Sequence, residues 1–290
     1  MKSLKQYIDV KRIENHTNES ILDDEDVLLD PERDKKIIES WIEDNYKIKG
    51  HLKINDDLTV DCSGDVDVKI KNYNIESLTN GMFRWGKIGG DFYCVGCVNL
   101  TSLNGAPVKV CKGFYCTGCN NLTSLEGAPE VVGRDFYCTS CNNLTSLEGA
   151  PRKVGGNFYC TYCNNLTSLK GAPRKVGGGF SCSNCENLTS LEGSPRVIGA
   201  RFECSSCGSL TSLEGAPEKV GGSFYCIGCK NLKSLEGAPE KVGGNFGCSE
   251  CDKLLSLEGA PKEVDGRFYC YDCKELAIDQ KLYKKYNIFK

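Results

Sequence analysis

The chain has 290 residues, with 36 Lys and Arg against 39 Asp and Glu and a net charge of −3. That balance argues against a globally basic nucleic-acid binder, although a local basic stripe fits within it. No apolar run reaches the length of a secretory signal or a membrane span, so the expected setting is cytosolic, with no membrane partner. There, the 20 cysteines are expected as reduced thiols or metal ligands more than as structural disulfides.

Four segments follow in chain order. Residues 1–50 are charged and repeat-free, and Ile37, Ile38, Trp41, Ile42 and Tyr46 fall on one face of a helix predicted over Glu32–Tyr46, with Pro31 suited to its start. Residues 51–87 turn to alternation, as in Val60-Asp61-Cys62 and Val66-Asp67-Val68, and read as degenerate capping rungs. Residues 88–274 hold nine copies of a 22-residue CxxC repeat. Residues 275–290 lose Gly-Ala-Pro, gain Leu282, Tyr283, Tyr286 and Ile288, and read as a C-terminal cap that closes the last rung.

A period of this length predicts a solenoid, in which each unit buries its apolar face only against its neighbours. Phe-Tyr-Cys has strand character, so alternate side chains point to opposite faces. Phe is fixed from Phe92 to Phe268, whereas the next position varies: Tyr93, Tyr115, Tyr137, Tyr159, Ser181, Glu203, Tyr225, Gly247, Tyr269. The fixed column is therefore expected inside and the variable one outside. Leu166 and Leu169 form the other inward wall, and Gly171-Ala172-Pro173 and Gly177-Gly178 turn the chain around Val176.

The unit Asn143-Leu144-Thr145-Ser146-Leu147-Glu148-Gly149-Ala150-Pro151, followed by Val154-Gly155-Gly156 and Phe158, resembles the leucine-rich-repeat-like solenoid proteins encoded by tailed phages and prophages. The resemblance covers about residues 50–275. It implies a mainly β, right-handed solenoid with one parallel sheet and irregular turns, and no enzymatic activity. It also implies a bacterial host cytoplasm, or packaging in a virion. The family commonly has Asn at the second Cys position, where this chain holds Cys in all nine repeats. Met1–Ile8 and Asn18–Glu25 further resemble phage leaders that direct proteins into the capsid and are clipped after a Glu, here Glu19; a plain charged extension fits the same residues.

Three readings of the repeat cysteines stay open. Cys94, Cys97, Cys116, Cys119, Cys138, Cys141, Cys160, Cys163, Cys182, Cys185, Cys204, Cys207, Cys226, Cys229, Cys248, Cys251, Cys270 and Cys273 are either packed thiols with no cofactor, four-thiolate zinc or iron–sulfur ligands shared by adjacent rungs, or disulfides. Cys111 stands at a Gly-Gly position as a tolerated substitution. A catalytic thiol would need a base, and His16 and His51 are the only histidines. The expected function is a non-enzymatic scaffold for a protein partner. Its face is the tyrosine column Tyr93, Tyr115, Tyr137 and Tyr159 with Thr117, Thr139 and Thr161, resumed at Tyr225 and Tyr269. A glutamate column (Glu126, Glu148, Glu192, Glu214, Glu236, Glu258) and a lysine column (Lys153, Lys175, Lys219, Lys241) are expected to offset each other as solvated pairs.

Overall fold

The computed structural model describes residues 31–69 and 74–277. The leader around Glu19 and most of the expected C-terminal cap lie outside the described residues. The chain is a mainly β solenoid of parallel rungs with one short helix at its start. That helix, α1 (Pro31–Asn45), lies where the amphipathic pattern places it, with Ile38, Trp41 and Ile42 buried.

The strands form two sheets of 11 each, where the resemblance implies one. In sheet A, β1 (Tyr46–Lys49) lies antiparallel on β4 (Asp65–Val68). Parallel two-residue strands then follow from β6 (Phe92–Tyr93) to β22 (Phe268–Tyr269). In sheet B, β2 (Leu52–Ile54) lies antiparallel on β3 (Thr59–Cys62), which pairs with β5 (Arg84–Ile88). Parallel pairs of the Lys-Val type continue from β7 (Lys109–Val110) to β21 (Glu263–Val264). The second sheet forms because the dipeptide before Gly-Gly is extended and stacks on its own copies. Val154 registers with Val132 and Val176, and Gly155 N–H donates to the Val132 carbonyl at 2.9 Å.

Each rung supplies the same four layers to one continuous core. Phe158, Cys160 and Cys163, Leu166 and Leu169, and Val176 are all buried, and so are their equivalents in neighbouring rungs. The Phe rings stack along the axis at 5.0–5.6 Å. Each ring so buried contributes about 1.5–3 kcal/mol by area. Sheet A's ladder runs past its two-residue strands: Phe158, Cys160 and Tyr162 N–H groups donate to Gly179, Ser181 and Ser183 carbonyls of the next rung at 2.9, 2.9 and 3.0 Å.

The corners are set by backbone sign. The second residue between the paired cysteines has positive φ in every rung, from Gly96 (69°) through Ser140 and Tyr162 (both 58°) to Asp272 (57°). The left-handed residue folds the strand end over, which carries the second Cys back into the core. Gly171 makes the opposite corner at φ 87°, and a Cβ there would run into the backbone of Glu148 on the preceding rung. At the start of the solenoid, Trp41, Tyr46, Phe83, Trp85 and Phe92 pack at centroid distances of 5.2–6.2 Å, and α1 covers them.

Candidate functional site

The outward residue of each sheet A strand is the one after Phe, so the tyrosines register rung on rung: Tyr93 on Tyr115, Tyr115 on Tyr137, Tyr137 on Tyr159. Their rings stack at 4.6, 5.2 and 4.7 Å, nearly parallel for the first two pairs and tilted 32° in the third. Each ring thereby covers its neighbour's face, and all four side chains are half-buried. What the column offers outward is a row of ring edges and hydroxyls at the spacing of the rungs. An in-register column on a parallel sheet brings flat side chains to stacking distance.

Burial raises the hydroxyls of Tyr115, Tyr137 and Tyr159, and pushes Tyr93 up to about 12, with Asp91 adding its negative charge. The hydroxyls are therefore neutral near pH 7 and both donate and accept. Thr117, Thr139 and Thr161 run beside them half-buried, with Thr161 and Thr139 hydroxyls 3.2 Å apart. On the other flank, Asp91 accepts from Gly113 N–H, Asp135 from Asn157 N–H and Asn157 from Gly179 N–H, each at 2.7 Å. These side chains hold the corners before the strands that begin at Phe114, Phe158 and Phe180. The sequence shows the residues but not this use of them.

Tyr225 and Tyr269 do not join the stack. The register places Ser181 and Glu203 between Tyr159 and Tyr225, and Gly247 between Tyr225 and Tyr269. Tyr225 lies over Gly247, takes the Arg201 guanidinium on its ring at 5.2 Å and accepts from Asn245 Nδ2 at 3.2 Å. The four-rung stack and Tyr225 are thus two separate surface features.

The repeat cysteines form two internal ladders. Every second Cys from Cys119 to Cys273 donates its S–H to the carbonyl of the first Cys one rung earlier, at 3.0–3.2 Å. The first cysteines from Cys116 to Cys248 donate at 3.3–3.6 Å to the carbonyl of the outward residue one rung later. All are buried except Cys273, which is half-exposed on the last CxxC rung. Thiols of adjacent rungs touch, Cys119 lying against Cys94 and Cys97. Among the described residues, however, no three His, Cys, Asp or Glu side chains gather around a point as a metal ion requires. Burial holds the first cysteines well above the ordinary thiol range, for example Cys116, Cys138 and Cys160, so they pack as neutral groups. The second Cys thus serves as a small donor that reaches a carbonyl of the preceding rung.

The two charge columns do not offset each other as the sequence suggests. Lys170 reaches Glu192 at 3.4 Å, but Lys153, Lys175 and Lys219 have no carboxylate in ion-pair range among the described residues. The columns sit on different stretches of the rung, the glutamates before Gly-Ala-Pro and the lysines on sheet B. No family model, curated protein or solved structure matches this chain. Its function is therefore argued from geometry. No helix among the described residues is long and apolar enough to cross a membrane.

Proposed function

We propose that the chain is a non-enzymatic binding scaffold that takes a protein partner on the outer face of sheet A, along Tyr93–Thr161. One observation carries this reading: four tyrosines stack in register beside corners held by Asp91 and Asn157, presenting neutral hydroxyls and ring edges in a row. Such a row loses little side-chain entropy on binding, which is the usual advantage of tyrosine at interfaces. The inward columns keep one apolar character through the array while the outward column changes, so surface chemistry varies on a constant frame. A scaffold without catalysis is favoured by the repeat thiols from Cys116 to Cys251, which are buried and donate to carbonyl acceptors. The metal reading has less support, since from Cys116 to Cys251 every repeat thiol already has a carbonyl acceptor. The phage-like repeat pattern supports a bacterial host cytoplasm as the setting.

The test compares affinity capture by the wild type, by Tyr115→Ser/Tyr137→Ser/Tyr159→Ser, and by a sheet B control, Lys109→Ser/Lys219→Ser. A partner held by the wild type and the control but lost by the tyrosine variant supports the face; equal capture by all three contradicts it.

A further inference from the structure

Sheet B turns outward the residue before each core Val or Ile, and in that column the lysines fall into in-register pairs: Lys87 on Lys109, Lys153 on Lys175 and Lys219 on Lys241. Like charges set opposite each other on a sheet destabilise it. The fold accepts another residue there, since Val131 registers between Lys109 and Lys153. Near the end of the array carboxylates settle the charge: Arg196 holds Glu218 through two bonds at 2.8 and 3.0 Å, Lys262 holds Glu240 at 2.6 Å and Lys241 holds Glu263 at 2.9 Å. Toward the start they do not. From the rung of Lys87 to that of Arg196, the two positions before the core residue hold seven cations against one carboxylate, Glu130. Arg152 and Arg174 stand exposed beside Lys153 and Lys175. Among the described residues none of these four, nor Lys87 or Lys109, has a carboxylate in ion-pair range. Asp61 bounds the stripe at its start, facing Lys53 in register.

The stripe is two side chains wide and runs over five rung steps, about 24 Å. The chain-wide balance of 36 basic against 39 acidic residues conceals it, because Glu126, Glu148 and their equivalents stand across the Gly-Ala-Pro corner. A DNA duplex carries one negative charge per about 1.7 Å of its axis, so about 14 phosphates lie along that length. Lysine and arginine contacts to phosphate position a duplex without reading its sequence. No outward residue of the stripe is aromatic, so nothing there stacks on the bases of a single strand. None carries a hydroxyl or an amide to meet the 2′-hydroxyl of RNA. A lipid surface is a plane, which would press anionic headgroups on the glutamate column as well, whereas a rod of charge meets the stripe alone.

We propose that this stripe of sheet B seats the sugar–phosphate backbone of duplex DNA, held without regard to sequence. The site lies on the other sheet from the tyrosine column and stands independently of the role assigned to that face. A seat of exposed lysines and arginines works by releasing the counterions of the duplex, so its affinity is set by salt.

Fluorescence anisotropy of a short labelled DNA duplex, titrated with the full chain at a series of salt concentrations, tests this. Six unpaired cations predict a slope of log affinity on log salt of about −5, so that affinity falls about a thousandfold between about 50 and 200 mM. Lys153→Ser/Lys175→Ser should make the slope shallower by about two. The same variant should keep or raise the denaturation midpoint, because it removes a like-charge register. Lys233→Ser/Lys253→Ser takes the same charge from another stretch of the rung and should leave the slope unchanged. Failure to bind the duplex at low salt, equal slopes for the two double variants, or a lowered midpoint for Lys153→Ser/Lys175→Ser would overturn the proposal. So would tighter binding of the single strand, an RNA duplex, anionic vesicles or polyglutamate than of the DNA duplex.

Discussion

Ser140 and Tyr162 occupy a backbone conformation that Gly96, Gly118 and Gly228 fill at equivalent positions. A side chain in the left-handed region carries a penalty that glycine avoids, so Ser140→Gly is expected to raise stability by about 0.5–1 kcal/mol in chemical denaturation. An unchanged or lowered midpoint would mean that the side chain contributes more than its strain costs. The thiols that burial raises give a pH dependence of definite sign, while hydrogen bonds from first cysteines lower Cys119, Cys163 and Cys251. Burial raises Cys270 to about 12 and Cys273 to about 11, and pushes the fully buried first cysteines further up. A thiol whose folded pKa lies above its unfolded value stabilises fully below the unfolded pKa, and that contribution is lost as pH rises through the folded one. Stability should therefore fall from about pH 8.5 upward, more steeply than in a variant with several first cysteines replaced by alanine. A flat profile between pH 8 and 10 would show that the thiols are not neutral packing groups.

At the level of the element, the rung was legible where a residue type recurs and hidden where lateral geometry decides. Phe158, Cys160, Leu166 and Val176 declare themselves as core because their columns keep one character through the array. Phe158→Ala is accordingly expected to cost about 3–5 kcal/mol. Sheet B was not legible, since Lys153-Val154 is too short to show alternation and the glycines after it read as a turn. Whether tyrosines present faces or edges depends on ring angle, which no spacing encodes. Nor does a list of charges say which columns neighbour each other, so the unpaired state of Lys153 and Lys175 emerged only from the register. Tyr137 stacks on both sides, at 5.2 and 4.7 Å, and each contact is worth about 0.5–1.5 kcal/mol beyond its area. Tyr137→Ser should therefore cost more than Tyr269→Ser, whose registered neighbour is Gly247. Equal losses would mean that the stack adds nothing.

For the whole molecule, stability is a sum of rungs and the contacts between neighbours, with the ends the weakest points. The aromatic group under α1 closes the first rungs. Trp41, which touches Tyr46 and Phe83, is therefore a test of the cap: Trp41→Ala should increase hydrogen exchange in 46–88 while leaving the central rungs around Phe158 protected. Uniform loss of protection would indicate one cooperative unit instead of a repeat array. The binding role assigned to sheet A and the packing role assigned to the thiols stand together, because a chain that uses its cysteines as ligands would have its chemistry inside the solenoid and not on its face. The most direct measurement is metal analysis of protein purified without added metal, joined to a thiol count in denaturant with and without chelator. The account predicts 20 titratable thiols without chelator and no stoichiometric metal. About four metal ions per chain, with thiols released only by chelator, would make pairs of rungs into four-thiolate sites and contradict it.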